Sequence, residues 1–248
     1  RGILAEAGFA LSPDGQHLAF ISGDETATKG QIWIRDLDSP IVRALPLTGG
    51  MPASPFWSPD NRWIGYEDNG TLKKVAIDGG PPIEVVNLTG AGFLLGLSWG
   101  ANDTIVFGTS AGVMRVPASG GTPSLIAQAQ GSIFPSFFPD GRHFIFGAAD
   151  ANGTFGVHVG DVEATDPGRN AQPVLVPGPA QSTYSLDHLL FVRNGTLMAQ
   201  PFDITRWNTS GDAVVIADHV DNPSPWGLFS VSGNGVLAYT SGATGHTQ

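Results

Sequence analysis

The chain has 248 residues with 12 basic and 22 acidic side chains, a net charge of −10, so it lacks the basic footprint that non-specific nucleic-acid binding or a polybasic contact with anionic lipid requires. It contains no cysteine, which excludes disulfides, thiolate zinc sites and a cysteine nucleophile. Its 34 glycines and 19 prolines punctuate short apolar runs, none of which approaches the roughly 18 residues needed to span a bilayer, and Arg1–Ala10 has no charged-then-apolar leader pattern.

One block recurs along the chain: an apolar approach, a polar turn, then an alternating apolar strand. It appears at Phe9–Phe20, Phe56–Tyr66, Leu97–Phe107 and Ser136–Phe146, in worn form at Tyr184–Val192, and again at Phe229–Tyr239. The residue after each turn's acidic or amide position (Gly15, Asn61, Asp103, Gly141, His188, Gly235) recurs at steps of 46, 42, 38, 47 and 47, the period of a four-stranded propeller blade. The turn chemistry explains the block. In Ser12-Pro13-Asp14-Gly15, proline presets φ for the first central position, aspartate bonds its own backbone, and glycine takes positive φ freely.

A second hairpin follows most blocks, at Asn69-Gly70, Asn152-Gly153 and Asn194-Gly195, and Asn-Gly is the strongest short hairpin signal. A third connection is Gly79-Gly80 or Gly120-Gly121. Each complete repeat thus holds four short strands, which bury both faces only by stacking radially against their neighbours. The spacing predicts an all-β fold: a single domain over 1–248, a six-bladed β-propeller of four-stranded antiparallel blades at roughly 1–48, 49–90, 91–129, 130–178, 179–220 and 221–248. The last block supplies only Trp226–Val231 and Val236–Thr240, so the sixth blade is expected to be incomplete, as in a chain cut from a longer one.

Chemistry is sparse. Asp14, Asp60 and Asp140 occupy matching turn positions and read as turn acceptors, since repetition around a ring keeps them too far apart to share a metal. His17 and His143 follow those turns and read as surface hairpin residues; no His-x-x-x-His spacing occurs. Gly108-Thr109-Ser110-Ala111-Gly112 comes nearest to a nucleophile elbow, yet lies on an expected hairpin. Trp33, Trp57, Trp63 and Trp99 read as inter-blade core, and the Asn-x-Ser/Thr sequences at Asn69, Asn87, Asn152, Asn194 and Asn208 mostly as turns. The expected innermost strands carry almost no carboxylate, which argues against a channel metal. No catalytic residue, metal ligand set or cofactor is expected.

Residues just ahead of the innermost strands are expected to line one mouth of the ring. Ser54, Phe93, Ser132, Phe134, Tyr184 and Trp226 are the candidate ligand- or partner-binding residues, aromatic and small polar side chains of the kind favoured at recognition surfaces.

The Ser-Pro-Asp-Gly turn with the strand Gln31–Asp38 resembles the TolB-type, WD-like propeller repeat over essentially the whole chain. Arg43–Gly50, Pro55–Arg62, Leu72–Val75, Gly79–Pro82, Phe138–Phe144, Gly195–Asp203 and Phe229–Tyr239 resemble the propeller region that follows the kinase domain and transmembrane helix of many bacterial serine/threonine protein kinases. That resemblance implies an extracytoplasmic (periplasmic or extracellular), non-catalytic sensor or interaction domain, tethered to a kinase in a longer polypeptide. It would take a protein or small-molecule ligand at the mouth, with no nucleic acid and no membrane insertion of its own. The alternative is a propeller hydrolase or lyase with its site at the channel mouth.

Overall fold

The computed structural model describes residues 8–23, 30–47, 50–89, 94–129, 131–150, 152–171, 175–178, 181–221 and 228–242. The first four sheets are β1 (Phe9–Leu11), β2 (His17–Gly23), β3 (Gly30–Asp36) and β4 (Val42–Ala44); β5 (Pro52–Trp57), β6 (Trp63–Asp68), β7 (Thr71–Ala76) and β8 (Ile83–Asn87); β9 (Leu97–Trp99), β10 (Thr104–Thr109), β11 (Gly112–Pro117) and β12 (Ser124–Ala127); and β13 (Ile133–Phe137), β14 (His143–Ala149), β15 (Phe155–Asp161) and β16 (Val176–Pro177). Each is an antiparallel meander in chain order. The fifth holds β17 (Ser182–Ser185), β18 (His188–Arg193), β19 (Thr196–Asp203), β20 (Asn208–Thr209) and β21 (Val214–Ala217), with β20 and β21 both pairing β19. Last comes a two-stranded sheet, β22 (Phe229–Val231) with β23 (Leu237–Tyr239).

The expected count of six blades is therefore corrected. Among the described residues five sheets form blades, and the sixth sequence block forms a two-stranded hairpin. Apolar clusters explain the arrangement, because each joins two successive sheets. Ile32 and Ile34 of blade 1 pack on Ile64 and Tyr66 of blade 2. Leu72 and Val85 pack on Ile105 and Phe107, Val113 and Ile126 on Phe144 and Phe146, Val157 and Val159 on Leu189 and Phe191, and Leu197 and Ala199 on Phe229. A strand's period of two makes each blade apolar on both faces. Polar bonds bring the hairpin against blade 1: the Leu11 amide donates to Ser230 Oγ at 2.9 Å, Gly233 to the Pro13 carbonyl at 2.9 Å, and Asn234 Nδ2 to the Asp14 carbonyl at 2.8 Å.

The repeated turn is built from its own side chains. Ser12 Oγ donates to Asp14 Oδ1 at 2.5 Å and accepts from the His17 amide at 2.9 Å, while Asp14 Oδ1 accepts from the Gln16 amide at 3.0 Å. Ser58 with Asp60, and Ser232 with Asn234, repeat the pattern. Gly15, Asn61, Asp103, Gly141 and Gly235 all sit at positive φ there. The worn copy instead has Leu186 and Asp187 both left-handed, a two-residue turn of the primed kind. Asn69-Gly70 and Asn194-Gly195 are turns of that same kind; at Asn152-Gly153 only the glycine is left-handed.

At Asp14, Asp60 and Asp140 partial burial pushes the carboxyl pKa up, but bonds from Ser12, Ser58 and His143 and from the turn amides outweigh it and hold each below the ordinary 3.8. A depressed folded pKa adds stability that is complete above the unfolded value and is lost as pH falls through the folded one. The melting temperature is therefore expected to fall below about pH 4, and less steeply in Asp60→Asn, as a calorimetric pH series would show.

Candidate functional site

Strands β1, β5, β9, β13, β17 and β22 are the first strands of their sheets, and adjacent ones meet along the ring axis. Hydroxyls at one repeat position staple them together. Ser98 Oγ accepts from the Phe137 amide at 3.2 Å, Ser136 Oγ lies 3.1 Å from Thr183 Oγ1, and Ser230 takes the Leu11 amide. None of these strands contains Asp or Glu.

The mouth is set one turn earlier, at the position four residues before the turn serine. It is occupied by Gly8, Ser54, Gly96, Phe134, Gln181 and Leu228, an uncharged rim. Gly8, Ser54, Gly96 and Phe134 have φ of 89°, 50°, 86° and 51°. In β5 and β13 the register shifts at this residue, between Ala53 and Phe56 and between Ile133 and Ser136, so each is a bulge that re-aims the chain. Neighbouring rims touch: a Cβ on Gly96 would lie 2.6 Å from Phe134 Cα, and the Phe134 amide donates to the Leu95 carbonyl at 2.6 Å. Ser54 is exposed and Phe134 half-buried. A left-handed backbone costs a residue with a Cβ about 1–2 kcal/mol, partly offset in a glycine variant by its freer unfolded chain. Ser54→Gly is expected to raise stability by roughly 0.5–1 kcal/mol in urea denaturation.

The other candidates part company with this rim. Ser132 is fully buried and donates to the Ala129 carbonyl at 2.8 Å, which makes it a loop anchor. Tyr184 points away from the mouth: its hydroxyl donates to Asp187 of the β17–β18 turn at 2.8 Å, and its ring packs on Phe138 and Phe202. Burial, then the bond and charge of Asp187, push its pKa up to about 12. Position along the strand decides this, since Tyr184 stands three residues past the rim residue Gln181, at the turn end of β17. Phe93 and Trp226 lie outside the described residues.

Sequence reasoning missed three features. Buried Asp68 accepts from the Met51 amide at 3.0 Å and pairs with Lys73 Nζ at 2.7 Å, locking the loop before β5 onto the β6–β7 hairpin. Buried Ser182 Oγ has no hydrogen-bond partner among the described residues. On the opposite face His17 and His143 are not simple surface residues. His17 bonds Asp36 at 2.7 Å and stacks on Trp57 of the next blade, while His143 bonds Asp140 at 2.6 Å and lies 4.2 Å from the Trp207 ring. The shared repeat position of the two histidines was the available signal; the position of Trp207, on the loop after β19, was not. Trp57 and Trp99 are buried and Trp63 packs against the same cluster as Trp99, but Trp33 is only half-buried.

Ser110 sits exposed at the tip of the β10–β11 hairpin, without the strand–turn–helix setting of a nucleophile elbow. Among the described residues no three His, Asp or Glu side chains are grouped to hold a metal ion.

No family model matches the chain. An uncharacterized protein of Agrobacterium fabrum is 26% identical over 139 residues, 52% of this chain and 47% of its own, so the match spans about half of that relative. The solved structure of TolB from Acinetobacter baumannii matches 85% of this chain and 54% of its own, with a TM-score of 0.62 and 14% identity. The PQQ-bound aldose sugar dehydrogenase of Streptomyces coelicolor matches 100% of this chain and 92% of its own, with a TM-score of 0.65 and 13% identity. At these identities the likeness concerns the fold: an all-β propeller similar to that of TolB.

Proposed function

We propose that the chain is a non-catalytic binding propeller that takes a protein or small-molecule ligand at the channel mouth, as the sensor or interaction domain of a larger bacterial signalling protein. The observation that carries this reading is the rim itself. Ser54 and Phe134 hold strained left-handed bulges where Gly8 and Gly96 manage without strain. Backbone strain of this kind concentrates at ligand clamps and active sites. The orphan hydroxyl of Ser182, at the start of β17, adds an unused donor. A location outside the cytoplasm and a tether to a kinase belong to the same reading and rest on the resemblance of the repeat blocks.

A catalytic reading has one observation in its favour, the full-length likeness to a PQQ-bound dehydrogenase. A polyanion such as PQQ needs cationic partners, and the rim positions hold no Lys or Arg. A hydrolase or lyase needs a convergent acid–base pair there.

The test is a thermal-shift screen of neutral saccharides, peptides and cell-wall fragments, beside turnover assays on ester, lactone and glycoside substrates. The expected result is a stabilising ligand whose effect is lost in Phe134→Ala, with no turnover. Turnover that disappears in Ser54→Asp or Phe134→Ala would sink the non-catalytic reading.

A further inference from the structure

Three Asn-Gly pairs sit at hairpin tips on the mouth side of the ring: Asn69-Gly70 between β6 and β7, Asn152-Gly153 between β14 and β15, and Asn194-Gly195 between β18 and β19. All three asparagines are exposed. Such a pair can react with itself. Hydroxide takes the proton of the glycine amide, and the nitrogen attacks the asparagine Cγ. The new N–Cγ bond closes a succinimide ring, the Cγ–Nδ2 bond breaks, and Nδ2 leaves as ammonia with a proton from water. Water then opens the ring at either carbonyl, giving aspartate or isoaspartate. Glycine permits the attack because it has no side chain to obstruct the ring and its backbone turns freely. Two properties of the fold set the rate: how readily the glycine amide ionises, and how freely the asparagine side chain swings onto it.

The three sites differ in both. The Gly70 amide donates to Glu67 Oε1, and Asn69 Nδ2 donates to Asp68 Oδ1 at 2.9 Å. A bond made by the neutral amide, with two carboxylates beside it, opposes the amide anion. At the second site the Gly153 amide donates to the Asp150 carbonyl at 3.0 Å, while Asp150 Oδ1 accepts from the Asn152 and Thr154 amides at 2.8 Å each. Asn194 has a cationic neighbour instead, the exposed Arg193, whose guanidinium lies 5.2 Å from the Phe191 ring. Asp218 accepts from Thr196 Oγ1 at 3.2 Å, on the far side of the glycine. Among the described residues, neither the Gly195 amide nor the Asn194 side chain is held by a hydrogen bond.

We propose that Asn194 is a site of spontaneous covalent modification, converting to aspartate and isoaspartate ahead of Asn69 and Asn152. The position gives the reaction a structural consequence. The Gly195 carbonyl accepts from the amide of Val220 at 2.8 Å, and Val220 belongs to the apolar cluster around Phe229. Arg193 and Thr196 close the β18–β19 ladder at this tip. Isoaspartate adds a carbon to the main chain, and a two-residue primed turn has no room for it. Conversion therefore opens the tip, releases Val220 and sets a carboxylate beside Arg193, so that the mouth side of blade 5 loosens as the protein ages.

The test incubates the full chain for several weeks at neutral pH and follows all three sites by peptide mapping, with mass spectrometry for the conversion and chromatography to separate isoaspartate from aspartate. Asn194 is expected to convert at least about threefold faster than either other site. Glu67→Ala, which frees the Gly70 amide, is expected to speed Asn69, and Arg193→Gln to slow Asn194. In concentrated urea the three rates are expected to draw together, because the fold sets their order. Amide exchange at Val220 is expected to be faster in the converted protein, and Asn194→Gln to keep the slow exchange throughout. Earlier conversion of Asn69 or Asn152 overturns the proposal, as does an unreactive Asn194 in the folded chain. The same order of rates in urea also overturns it, by assigning the order to local sequence, and unchanged exchange at Val220 overturns the structural consequence.

Discussion

Gly108→Val is expected to destabilise the protein by about 3 kcal/mol or more and to disorganise the mouth, because overpacking of this kind meets atoms that cannot give way. A Cβ there would lie 2.4 Å from the Ser132 carbonyl oxygen and 2.7 Å from that of Leu95. Both are backbone atoms. Gly108 also bonds the main chain ahead of β9, its amide to the Gly96 carbonyl and its carbonyl to the Leu95 amide. The rim of blade 3 is thus pressed between β10 and the entry to β13, and it needs a residue without a side chain. Urea denaturation measures the loss, and the amide shifts of Phe134 report the mouth. Gly153→Ala is the control. Gly153 is left-handed at φ 78° but has open space around its Cβ position, so only the backbone cost of about 1 kcal/mol is expected.

Phe146→Ala is expected to cost about 3–5 kcal/mol, the range for a buried aromatic that leaves a cavity. Phe146 is fully buried against Val113 and Ile126 of blade 3, with Phe144 at 5.5 Å and the His158 ring stacked at 5.6 Å. Its neighbours belong to two sheets that share no main-chain ladder, so the gap cannot close by moving one strand. With total stabilities of typically 5–15 kcal/mol, this one change removes a large share. The half-buried Trp33→Ala is expected to cost distinctly less although the side chain is larger. Thermal unfolding of both variants checks the order, and equal losses would contradict the dependence on burial.

The turn aspartates and histidines divide along the same line. Asp14 and Asp60 as turn acceptors were legible in the sequence, because every partner lies within five residues of the acid. His143 was legible only as a hairpin residue. Its partner Trp207 lies in the next blade, and no local pattern relates the two. The same limit applied to Tyr184, expected at the mouth but held at the turn end of β17 by its bond to Asp187, and to Ser132, whose hydroxyl is consumed by its own loop.

The sequence by itself determined the repeat, the turns and the strand alternation, since these depend on φ preferences and on bonds made within a few residues. It also determined that the innermost strands carry no carboxylate. Only the tertiary structure decided how many blades form among the described residues and which bulges bear strain. Those outcomes depend on contacts between blocks some forty residues apart, where burial against a neighbour, and not the residue's own propensity, sets the result. Five blocks found four or more strands and became blades. The sixth forms a two-stranded hairpin among the described residues.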